Sequence, residues 1–267
     1  MTDPAQPRRL RLLSYNIQSG LTTRTYSQYL TRSWKHLVPV PSRMTNLDGI
    51  ARVLADYDLV GLQEVDAGSL RSGFVNQVKY LADQAGFAHV FDQSNRKIGM
   101  ISQHGNAVLS RVRPDAIAEH KLPGLPGRGV LEIQFGSGPD ALQVLILHMA
   151  LGRRGRLRQI GFLAERACDY RHVILMGDFN CDLDSQEMAV LLETVRLREP
   201  APGLRTFPSW QPSRQLDHIL VSSSIVVERV EVLDCVFSDH LPIAMTVRLP
   251  ESVQLESEPD LVVLSMP

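Results

Sequence analysis

Apolar residues recur along this chain in two rhythms. Short runs separated by Gly, Pro and Ser mark strands, and the first, over 10–17, is apolar enough to read as one buried on both faces. The runs fall at 10–17, 58–63, 88–92, 105–110, 113–119, 130–135, 142–148, 173–176, 216–221, 226–233 and 243–249. Between them lie stretches with helical spacing. Leu47, Ile50, Val53, Leu54 and Tyr57 form one stripe, with Thr45 and Asp48 spaced as a capping box. Phe74, Val78, Leu81 and Ala85 form a second, with Gly86 where a C-terminal capping glycine belongs. Leu157, Ile160, Leu163 and Ala167 predict a helix over 155–167, and another is predicted over 185–195. Strands and helices alternate early and strands follow one another in the middle. The pattern predicts an α/β protein with two sheets and helices outside, not one doubly wound sheet.

Two segments break the rhythm. Residues 21–43 mix Tyr26, Tyr29, Leu30, Trp34, Leu37 and Val38 with Arg24, Arg32, Lys35 and Arg43. They read as a long loop, or a short helix plus loop: either a surface loop anchored by its aromatics or a lid that grips substrate. After Pro250 the chain turns acidic and irregular, so we expect a domain over 1–250 and a tail over 251–267.

Composition narrows the function. In 267 residues the formal net charge is -1, without the basic excess of a protein that holds duplex nucleic acid by charge alone. Cys168, Cys181 and Cys235 are scattered, which fits reduced thiols and a cytoplasmic location better than a disulfide framework. The first residues carry arginines but no apolar stretch behind them, and no apolar run approaches membrane-spanning length.

The candidate chemistry sits at strand ends. Asn16 closes the first strand, Glu64 follows the second, Asp178 and Asn180 follow 173–177, and Asp239 and His240 precede the last. Strand ends and their loops are where sites are built. Glu64, Asp178 and Asp239 with Asn16 and Asn180 make the oxygen-rich set that a hard cation such as Mg²⁺ takes. Taken singly each has a plainer reading: Asn16 a turn residue, Glu64 a solvated charge, Asp178 an Asx-turn or helix cap. His148 ends the strand over 142–148, as a satisfied strand-end residue or as a general acid or phosphate donor. Asp217-His218 and Asp239-His240 each place an aspartate beside an imidazole, the pairing that activates water. Arg156, in the arginine-rich run 153–158, draws in phosphate or is part of a solvated helix face. Arg128 between two glycines is a phosphate contact or a turn arginine.

SYNI (14–17), LQEV (62–65), GNAVLSR (105–111), LH (147–148), GDFN (177–180), LDHI (216–219) and SDHLP (238–242) stand in this order over nearly the whole chain. Together they resemble the endonuclease/exonuclease/phosphatase superfamily, the DNase I-like fold. The resemblance implies a four-layer α/β/β/α sandwich, two mixed β-sheets packed face to face with helices outside and the active site at one end. It also implies roles. Asn16, Glu64 and Asp239 would hold Mg²⁺ or Mn²⁺. Asp178 and Asn180 would position water or phosphate. Asp217 would hold His240 as base or phosphate-stabilising group, and His148 would donate to phosphate or leaving group. Gln18 stands where DNA-repair members carry an acidic residue, and TFPS (206–209) resembles bacterial members. The expected function is a metal-dependent phosphodiesterase acting on a lipid head group, nucleotide or nucleic acid. The alternatives are a nuclease, a phosphomonoesterase and a catalytically inactive binding module.

Overall fold

The structure is a computed structural model, which describes residues 9–20, 42–68, 75–98, 102–124 and 126–255. Residues 21–41 of the aromatic segment, Phe74 and residues 256–267 of the expected tail lie outside them. The strands are β1 (Arg9–Asn16), β2 (Leu59–Asp66), β3 (His89–Ile98), β4 (Ser102–Ser110), β5 (Ala116–Lys121), β6 (Gly129–Phe135), β7 (Leu142–His148), β8 (His172–Asp178), β9 (Leu197–Arg198), β10 (Asp217–Ser222), β11 (Val226–Val232) and β12 (Ile243–Arg248). The α-helices are α1 (Ser42–Leu54), α2 (Gln77–Ala85), α3 (Arg153–Ala167) and α4 (Gln186–Val195).

Two six-stranded sheets result, ordered β11-β12-β1-β2-β4-β3 and β5-β6-β7-β8-β10-β9. Each has one parallel pair at its centre, β1 with β2 and β7 with β8, flanked by antiparallel strands. The alternation of side chains along each central strand explains why its sequence is continuously apolar. Leu12, Val144 and Ile174 point into the core between the sheets. Their neighbours Leu13, Leu145 and Leu175 point outward, Leu13 under α1 and α2, Leu145 and Leu175 under α3 and α4. Three apolar interfaces thus separate four layers, the sandwich expected above.

The helices follow their expected signals with two differences. Asn76 caps α2 by accepting from the Lys79 amide, and Gly86 ends it at φ 72°. Ser185 caps α4 through the Met188 amide. By contrast α1 begins at Ser42, so Thr45 lies within the helix and not at its N-cap. The arginine run belongs to α3, which starts at Arg153 rather than 155. β2 extends beyond 63 to Asp66 because its pairing with β4 shifts register between Leu62 and Val65, keeping Glu64 within the strand. In the expected tail, Val253 and Leu255 are buried against the inter-sheet core.

Two glycines sit where a side chain would collide with its neighbours. A Cβ on Gly61 would stand 2.9 Å from Met176 Cε and 3.0 Å from Ile146 Cγ2, across the gap between sheets. Gly177, at φ 151°, is more demanding: its Cβ would fall 2.0 Å from the Leu147 carbonyl oxygen of the adjacent parallel strand. Gly177→Ala should destabilise the protein by about 4 kcal/mol or more, through backbone clash rather than lost contact. Thermal melting checks this; a melting temperature equal to wild type would refute it.

Candidate active site

The central parallel pairs end at the same edge of the sandwich, and their last residues face one another across the sheets. β1 delivers Asn16, β2 Glu64, β7 His148 and β8 Asp178; His148 and Asp178 are in register. β10, antiparallel to β8, begins there with Asp217 opposite Asp178. The turn before β12 adds Asp239 and His240.

Asp178 is the hub. Its Oδ2 accepts from Asn16 Nδ2 at 3.0 Å and lies 3.4 Å from His148 Nε2 and 3.8 Å from His240 Nε2. Its Oδ1 accepts the Asn180 backbone N–H at 2.9 Å, while Asn180 Nδ2 donates to the Met149 carbonyl. The carboxylate is 2% exposed, and the Asn16 hydrogen bond stands in for water at Oδ2, with the two imidazoles close beside it.

The two histidines are held in opposite states. Burial pushes the His148 imidazole down to about 4; Asp178 opposes that shift and Arg128 adds to it. Arg128 Nη1 lies 3.4 Å from His148 Nδ1. A guanidinium only donates, so Nδ1 accepts and the ring proton sits on Nε2, facing Asp178 and, at 4.0 Å, Glu64 Oε1. His240 is equally buried, which alone would lower its pKa, but Asp217 and Asp178 together hold it well above its usual value. His240 Nδ1 is 2.8 Å from Asp217 Oδ2, leaving Nε2 toward Asp178. His218, next in sequence to Asp217, points the other way, as strand alternation requires. It is closed between Glu199 and the Cys181 carbonyl, as a core residue.

The backbone here is unusual. Gln18, Ser19, Glu64 and Asn180 have φ of 44°, 52°, 57° and 54°, four of the five described non-glycine residues at positive φ. Such conformations persist where surrounding structure imposes them, and they cluster at functional sites. At Glu64 the bulge in β2 re-aims the side chain.

The donor set suits a divalent cation. Burial raises Asp239 to about 6, and the charges of Glu64 and Asp178 add to it against the opposing pull of His240 and Ser238. A carboxylate whose pKa is raised by neighbouring carboxylates sits where positive charge is short. Ligand atoms of Asp178, Asp217 and His240 also lie within 4.8 Å of one another. In that trio Asp217 Oδ2 and His240 Nδ1 already bond each other, while Asn16, Glu64 and Asp239 offer oxygen donors only, the kind a hard cation takes.

Arg156 stands apart from these groups. It pairs with Glu187 at 2.6 Å and donates to the Ala150 and Leu151 carbonyls, tying α3 to α4. Arg153 is likewise engaged, with Gln186 and Glu187. Two residues without an assigned role in the sequence join the site. Gln18 Nε2 donates to Asp239 Oδ2 at 3.0 Å. Thr206 Oγ1 donates to Asp217 Oδ2 at 2.6 Å. No spacing rule announces a partner 221 residues away, and the Gln18–Asp239 bond exists only once the strands are paired.

The model of the Endonuclease/Exonuclease/phosphatase family matches residues 13–240. No curated protein matches the chain by sequence. Among solved structures, a mannosyl-6-phosphatase of Bacteroides thetaiotaomicron superposes with TM-score 0.68 at 18% identity, over 89% of this chain and 99% of its own. The human Nocturnin catalytic domain gives TM-score 0.67 at 15% identity, over 91% and 95%. ANGEL2, described as a 2',3'-cyclic phosphatase, gives 0.67 at 15% identity, over 90% and 96%.

Proposed function

This chain belongs to the endonuclease/exonuclease/phosphatase family, and we propose that it is a Mg²⁺- or Mn²⁺-dependent phosphodiesterase. The observation that carries this reading is the convergence of Asn16, His148 and His240 on one oxygen of Asp178.

Asn16, Glu64 and Asp239 would hold the ion. When bound, it supplies Lewis-acid polarisation of the phosphoryl oxygens and neutralises developing charge. Asp178 orients a water and takes its proton, with its second oxygen fixed by the Asn180 amide. His148, neutral with its proton on Nε2, donates a hydrogen bond to a phosphoryl oxygen, and Arg128 adds positive charge beside it. His240 is charged at neutral pH, which suits it to protonate the leaving oxygen rather than to act as base.

Charge balance favours a diester. Glu64, Asp178, Asp217 and Asp239 face Arg128 and the His240 imidazolium, and a divalent ion brings the set to neutrality. A phosphodiester carries one negative charge, whereas a monoester dianion adds a second uncompensated one. The pairing of Arg153 and Arg156 with α4 weakens a nuclease reading that relies on the arginine run. A phosphomonoesterase is the second reading, since one similar structure is described as a mannosyl-6-phosphatase.

The test compares bis(p-nitrophenyl) phosphate with p-nitrophenyl phosphate under Mg²⁺, Mn²⁺ and EDTA. Metal-dependent diester cleavage is expected; cleavage of the monoester alone would shift the assignment to a phosphatase. Metal affinity should also depend on pH. Asp239 is neutral below about 6, so cations must then displace a proton, and affinity should fall about tenfold per unit of further acidification. Calorimetric titration with Mn²⁺ above and below that pH reads this directly, and a flat profile would remove Asp239 from the ligand set.

A further inference from the structure

The dyad of Asp217 and His240 is completed by a third residue outside the reacting centre. Asp217 is fully buried, and its Oδ2 accepts both from His240 Nδ1 at 2.8 Å and from Thr206 Oγ1 at 2.6 Å. Its Oδ1 has no hydrogen-bond partner among the described residues. A carboxylate held at one oxygen by a single donor can pivot about its bonds; a second donor from another direction fixes its plane.

Thr206 is placed for that task. The Leu216 and Asp217 amides both approach its Oγ1 at 3.4 Å, occupying the lone-pair side and directing the hydroxyl proton at Asp217 Oδ2. Thr206 is itself wholly buried. Its main chain bonds the Arg214 carbonyl and accepts the Leu241 amide at 2.8 Å, one residue beyond His240. Three residues on, Ser209 donates its amide to the Asp239 carbonyl and its hydroxyl to the Ser238 carbonyl. The Phe207 ring lies 4.9 Å from the His240 ring. The segment 206–209 therefore straps down the turn that carries Asp239 and His240.

We propose that Thr206 is a positioning residue for catalysis, its hydroxyl locking the Asp217 carboxylate so that His240 presents Nε2 toward Asp178. This rests on the phosphoesterase reading of the same site. The main-chain bonds of Thr206 do not need its side chain, so loss of the hydroxyl should leave the strap in place and remove only the bond to Asp217 and the two long approaches of the Leu216 and Asp217 amides.

Thr206→Val, Thr206→Ser and wild type are compared on the activated diester. Loss of an orienting partner of this kind typically costs about 10–100-fold. We expect Thr206→Val to lose that much in kcat with KM within about twofold, and Thr206→Ser to recover most of it. Wild-type kcat in Thr206→Val, or equal loss in Thr206→Ser, would overturn the proposal. Thr206→Ala gives the same comparison where Thr206→Val does not fold. A second readout needs no turnover: in ¹⁵N-histidine-labelled protein, the downfield His240 Nδ1–H resonance should persist in Thr206→Ser and shift or vanish in Thr206→Val. An unchanged resonance sinks the inference even if the enzyme is active. A changed resonance sustains it even if wild type cleaves neither test ester, an outcome that counts against the phosphodiesterase reading alone.

Discussion

Replacing Asp178 by asparagine is expected to lower kcat on an activated diester by about 10³–10⁴-fold, the upper part of the range for a general base. The shape is conserved, and Oδ1 still accepts the Asn180 amide, so the fold should survive. What changes is Oδ2. An amide there would set its NH₂ against Asn16 Nδ2 and the two imidazoles, all donors or potential donors, and it cannot take a proton from water. The measurement pairs steady-state kinetics with circular dichroism and melting. Near wild-type turnover in a folded variant would remove Asp178 from the chemistry.

His240→Ala should cost about 10²–10⁴-fold, the contribution expected of a group that transfers a proton in the transition state. The size should depend on the leaving group. p-Nitrophenolate leaves without much help, whereas an alkyl alkoxide needs a proton, so the loss should grow from the aryl to the alkyl diester. An equal loss on both would show that His240 stabilises phosphate charge without protonating the leaving oxygen. His218→Ala, one residue from Asp217 but facing the core, should instead lower stability and leave kcat of the folded fraction unchanged.

Much of the architecture could be read from apolar periodicity, because the central strands are buried on both faces and say so residue by residue. The 142–148 strand is an example: all seven of its residues are buried. The ends of elements were harder. Thr45 has the chemistry of a cap, yet α1 starts a turn earlier. β2 looks finished at Gln63 because a bulge interrupts its period at Glu64. The strand-end carboxylates, amides and histidines were visible as a set, since sheets gather their C-terminal ends. Their mutual geometry was not, because hydrogen bonds such as Asn16 to Asp178 join residues on different sheets. Gln18 was hidden because its partner Asp239 comes 221 residues later, and Thr206 because a loop hydroxyl reaching a strand carboxylate leaves no pattern in the sequence. Arg156 illustrates the converse: a basic run beside a site suggests phosphate, and the fold spends that charge on Glu187.

β1 lies between β2 and β12, so the first described strand is flanked by the last, with Leu10 opposite Val247. During synthesis one edge of β1 stays open until residues 243–248 have emerged, and an open apolar edge is a template for mispairing. Pairings this distant in sequence also close slowly. The same late closure brings Asp239 and His240 to Asn16 and Asp178. A nascent or C-terminally shortened chain can therefore be nearly folded and still inert, and the appearance of activity should mark the final step of folding, not its beginning.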